Sequence, residues 1–227
     1  MVSGKANSSS SGSDNRPPEN AAEPGRAGRE RRARRPARPL DETALHDLAL
    51  SYVARFATTG AKLEAYLQRK LRERGTAETE DGTSAVIEVP ALVSRMIAAG
   101  YVDDAAYARM RTRDLAARGF GARRIEQALW AAGVDEPTRA DQTLGEAAKR
   151  RAAVRMAEKR RLGPFGRAGE AQDPRAREKA VAAMLRAGHE FAHARFVLDA
   201  ASPEDISDWL AEAADESGDG EGTIERW

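Results

Sequence analysis

The chain has 227 residues, no cysteine and nearly balanced charge, with 37 Lys and Arg against 36 Asp and Glu. The lack of cysteine excludes disulfides and thiolate metal sites, and no apolar run has the length needed to span a bilayer. Scarce aromatics with abundant Ala, Arg, Glu and Leu favour helix over sheet.

Residues 1–40 are Ser-, Gly-, Pro- and Arg-rich with almost no large apolar side chain, so they read as a disordered tail that cannot bury enough surface to order itself. This tail lacks the apolar centre of a secretory signal, and Asp14, Glu19, Glu23 and Glu30 argue against a transit peptide. Its Arg26 to Arg38 cluster either adds non-specific nucleic-acid affinity or is an extension without a role.

Leu45, Leu48, Tyr52 and Phe56 recur at helical spacing behind an Asp41 cap and predict a helix over about 41–57. A second helix is expected from Ala61 to Arg74, closing on Gly75, and a third from Pro90 to Gly100. Val86-Ile87-Glu88-Val89 is strand-like but is cut off by Pro90. Asp103-Asp104 opens a helix carrying Tyr107, Ala108, Met110 and Leu115, which stops at Gly119-Phe120-Gly121. As neighbours at a helix start the two carboxylates read as caps rather than as an acid–base or metal pair. Ala122–Ala132, with Ile125 and Leu129 inward, closes on Gly133; a further helix is expected over about 137–145.

Residues 146–161 form a basic helix, with Lys149, Arg150, Arg151, Arg155, Lys159, Arg160 and Arg161 against few acids. After a Gly-rich loop, Asp173-Pro174 caps a helix that closes on Gly188, and a last helix spans about 190–201. Residues 203–227 read as an acidic tail, with Trp209 and Leu210 extending the fold by at most a turn.

Leu71, Leu129 and Met184 each stand four residues before a glycine: Gly75, Gly133 and Gly188. The three glycines are about 55 residues apart, each inside a three-helix stretch. The expected fold is therefore all-α: three tandem three-helix repeats at 41–100, 101–146 and 147–202, in an elongated, curved body with disordered tails.

The middle repeat carries a recognisable series: Gly100-Tyr101-Val102-Asp103-Asp104, Tyr107-Ala108, Arg118-Gly119-Phe120-Gly121, Arg124-Ile125, and Leu129 to Gly133. It resembles the RecX family, regulators of the RecA recombinase, and the likeness runs from about Ala44 to Ala201. Tyr52, Arg55, Phe56, Tyr66-Leu67 and Arg69-Lys70-Leu71 resemble the first repeat of one branch of that family. Two departures are His189, where an aromatic usually follows the glycine, and Tyr66, where many members carry an acid. The resemblance implies three repeats of three helices and a cytoplasmic monomer without catalytic site, cofactor or membrane contact. It would bind the RecA filament, with the single-stranded DNA held there as a further contact, and inhibit its extension, ATP hydrolysis and strand exchange.

The basic helix exceeds what solubility needs and reads as a partner surface for an acidic protein face or for phosphates, continued by Arg111, Arg113, Arg118, Arg123 and Arg124. Few aromatics accompany these arginines, which disfavours base-specific reading of a single strand. A general DNA-binding module is the main alternative. A zinc hydrolase is another, because His189-Glu190-Phe191-Ala192-His193 fits H-E-x-x-H. Against it, Gly188 precedes the first histidine, Arg195 follows closely, and a third ligand would have to be His46 or an acid such as Glu212.

Overall fold

The computed structural model describes residues 38–78, 86–166 and 173–216. These residues are all-α, with a 3-10 turn at Gly163–Phe165 and an isolated parallel bridge between Leu40 and Thr76. The helices are α1 (Glu42–Val53), α2 (Gly60–Arg74), α3 (Val89–Ala98), α4 (Asp104–Ala117), α5 (Ala122–Trp130), α6 (Glu136–Ala140), α7 (Glu146–Arg160), α8 (Pro174–Arg186), α9 (Phe191–Asp199) and α10 (Pro203–Glu216). The strand-like stretch forms no strand over its described residues, and Pro90 lies inside the first turn of α3.

The starts follow the expected chemistry. Asp41, Asp103 and Asp173 accept hydrogen bonds from the backbone N–H groups of Ala44, Ala106 and Arg175. Each such cap satisfies a donor that the helix itself leaves open and contributes about 1 kcal/mol. The ends are equally regular. Gly100, Gly119, Gly133 and Gly188 have positive φ, and the residue after each donates back to a carbonyl five positions earlier, as in Val134 to Leu129 and His189 to Met184. Arg161 closes α7 in the same way with φ 54°, a left-handed conformation unusual for a residue with a Cβ.

Three buried clusters mark three successive cores. Leu45, Leu63, Leu67, Leu92 and Met96 fill the first, Tyr107, Leu115, Ile125, Leu129 and Val134 the second, and Met156, Met184, Val197 and Trp209 the third. Each core is too small to exclude water alone, which is why such units stack.

The stacking uses one device twice. The glycine after the second helix of a repeat seats on the start of the second helix of the repeat before it. At Gly133 an added Cβ would lie 2.3 Å from the Ala61 Cβ, while the Thr59 hydroxyl donates to the Ala132 carbonyl and the Gly60 N–H to Asp104 at 2.9 Å. At Gly188 an added Cβ would lie 2.4 Å from the Arg124 nitrogen, and Gly121 N–H donates to the Ala187 carbonyl at 2.9 Å. At Gly75, among the described residues, no heavy atom lies within 4 Å of an added Cβ, and its carbonyl accepts from Leu40 N–H at 2.9 Å.

Both ends of the expected body need correction. Leu40, assigned to the tail, is fully buried in the first core, because its bridge to Thr76 delivers it there. Residues 203–216, assigned to an acidic tail, are helix α10, and Ile206, Trp209 and Ala213 are buried against the third core. Acids line the open face of α10 and conceal an ordinary amphipathic helix. The remaining tail expectations, at 1–37 and 217–227, lie outside the described residues, as do 79–85 and 167–172 of the expected loops.

Candidate interaction surface

The nominated basic residues separate into tethered and free groups. Arg150 is only 12% exposed; it pairs with Glu146 at 2.9 Å and Glu212 at 3.0 Å and lies over the Trp209 ring. Lys149 pairs with Glu190 at 2.9 Å. These two were nominated as partner contacts, but they join α7 to α9 and α10, because neighbouring helices bring acids to them that are remote in sequence. Arg155 donates to the Ala117 carbonyl at the end of α4, and Arg111 and Arg118 share Asp114.

Arg113, Arg123, Arg124, Arg151, Lys159, Arg160 and Arg161 are exposed, with no ion pair among the described residues. Arg118, Lys159 and Arg160 line a cleft of about 230 Å³ between α4 and α7, floored by Gly119, Phe120, Met156 and Ala187. The guanidinium of Arg118 lies 5.6 Å from the Phe120 ring centre. Cations above an apolar floor favour phosphates or carboxylates of a partner, and a low-dielectric wall strengthens their field.

The H-E-x-x-H match does not form a zinc site. His189 precedes α9, and Glu190 is its N-terminal boundary, so the two imidazoles are not one turn apart on a helix. His189 Nε2 bonds to the Gly119 carbonyl at 3.0 Å and His193 Nε2 to Glu146 at 2.8 Å. Of the candidate third ligands, Glu212 is engaged by Arg150 and His46 belongs to the distant α1. Burial pushes the His189 pKa below its ordinary value, favouring a neutral ring that fastens α4 to the Gly188 joint. The Arg150 hydrogen bond, aided by that of His193 and opposed by burial, holds Glu146 below the usual carboxylate range. Among the described residues, no three His, Asp or Glu side chains converge as a metal site.

The motif of the middle repeat is mostly architectural. Tyr107, Ala108, Ile125 and Leu129 are buried, Asp103 caps α4, and Gly119, Gly121 and Gly133 stand where a Cβ would strike a neighbour. Asp104 accepts from Gly60 N–H across the first joint. Tyr101, grouped with these structural residues, is instead 57% exposed. Phe56 and Met110, assigned to apolar helix faces, are open as well, as is Trp130. Helical spacing could not reveal this, since it identifies an apolar stripe without saying which end of the stripe is covered.

A family model described as RecX, second three-helix domain, matches residues 103–141. The regulatory protein RecX of Myxococcus xanthus (strain DK1622) is 34% identical over 175 residues, covering 75% of this chain and 92% of that protein. The crystal structure of RecX from Lactobacillus salivarius superposes with a TM-score of 0.52 at 18% identity, covering 75% of this chain and 96% of that one. This last likeness concerns the fold. Among the described residues no helix is long and apolar enough to cross a membrane.

Proposed function

Because the chain belongs to the RecX family of regulatory proteins, we propose that it binds the RecA recombinase filament in the cytoplasm and inhibits its extension, ATP hydrolysis and strand exchange. In this reading the protein acts as a monomer and by occupancy, without cofactor or chemistry of its own. The observation that carries it is the basic cleft between α4 and α7, with Arg118, Lys159 and Arg160 at its rim. Lys159 and Arg160, exposed and without an ion pair among the described residues, are available to an acidic protein face and to DNA phosphates in the filament.

The same cleft gives a second reading, a general DNA-binding module, some support. The two differ in what the protein prefers. A filament regulator binds recombinase-coated single-stranded DNA more tightly than the same DNA naked, at physiological salt. Equal or greater affinity for naked DNA, falling with log salt in proportion to the phosphates contacted, would favour the module.

A further inference from the structure

A second surface lies at the first joint, away from the basic cleft. Phe56, Tyr101 and Met110 line one groove of about 330 Å³ together with Val53, Ala106 and Tyr107. The first three are 55%, 57% and 44% exposed. Large apolar side chains exposed singly are ordinary, but three converging on one concavity form a patch that water solvates poorly. The groove is also held in shape. Phe56 packs on Tyr52 at 5.2 Å, and Tyr52 stacks on Tyr66 at 4.2 Å. Tyr107 is held by Lys62, which lies 4.6 Å from its ring centre, and Asp103 and Asp104 fix the start of α4.

The charges around it select the occupant. On either side of Met110, α4 exposes Arg109 and Arg113 without ion pairs among the described residues, while Arg111 pairs with Asp114. Arg55, beside Phe56, bonds to the Ser51 hydroxyl and has no ion pair among the described residues. The lining carboxylate, Asp103, and its neighbour Asp104 keep their charges but are turned to the N–H groups of Ala106 and Gly60, and the exposed Arg55, Arg109 and Arg113 outnumber them. An apolar slot under a net positive rim complements a large apolar side chain carried on an acidic segment, and repels one carried on a basic segment.

We infer that the Phe56–Tyr101–Met110 groove is a protein-docking site that takes one large apolar side chain from an acidic segment of the recombinase. This rests on the filament-binding reading above and adds to it a contact made by the first joint.

Met110 is exposed, so charged replacements there leave the cores intact and can be compared with each other. The affinity of the full chain for recombinase filaments is measured for wild type, Met110→Glu and Met110→Lys. Glu is expected to weaken binding about tenfold or more, and Lys distinctly less, as for a central contact of an interface. Wild-type affinity in both variants, or equal loss in both, overturns the groove while leaving filament binding in place. A wild-type protein that does not bind filaments overturns both.

Discussion

Gly121 and Gly188 meet backbone to backbone: a Cβ added to Gly121 would lie 2.3 Å from the Gly188 carbonyl carbon. The approach lets Gly121 N–H reach the Ala187 carbonyl and Arg123 N–H reach the Gly188 carbonyl, at 2.9 and 3.2 Å. His189, the next residue, then reaches back to Gly119. Two repeats are joined here through main-chain groups, and the cleft bearing Arg118, Lys159 and Arg160 is shaped by that joint.

Gly121→Ala forces backbone apart and is expected to destabilise the protein by about 2 kcal/mol or more. Gly188→Ala adds the cost of φ 93° to a similar clash and should be worse. Gly75→Ala has the positive φ but open space around it, so its cost should stay near 1 kcal/mol. Urea denaturation of the three variants checks the order, and a Gly75 variant as damaged as the other two would refute it.

The neutral His189 makes stability depend on pH. Its folded-state pKa lies below the ordinary 6.5 because burial disfavours the charged ring, outweighing the Gly119 hydrogen bond, with His193 adding to the depression. An unfolded chain therefore takes up the proton first as pH falls. The contribution is fully present above about pH 6.5 and is lost as pH drops through the folded-state value. His189→Gln can keep the hydrogen bond to Gly119 and removes the titration. Denaturation midpoints should fall less between about pH 7 and pH 5 in this variant than in wild type; identical pH profiles would contradict the assignment.

Much of the fold was legible because its signals are local. Asp41, Asp103 and Asp173 advertise helix starts, and Gly133 and Gly188 advertise ends, from chemistry within one turn of the chain. The use made of those glycines was not legible, since the atoms they must avoid belong to Ala61 and Arg124, far away in sequence. Helix α10 was within reach: Ile206, Trp209 and Ala213 follow Pro203 at three- and four-residue spacing, but the acids between them suggested a tail. The surface was less readable still. Arg150 and Arg151 are adjacent in one basic run, yet one is clamped between Glu146 and Glu212 and the other has no ion pair among the described residues. Only the packing of α7 against α9 and α10 distinguishes them.

Regulation of the recombinase by occupancy of its filament shows in the filament's own catalysis. It is read out by titrating DNA-dependent ATP hydrolysis of the cognate recombinase with the pure protein. Inhibition is expected at substoichiometric ratios, weakened when Lys159 and Arg160 are both changed to Glu. Unaltered hydrolysis at equimolar protein would contradict it.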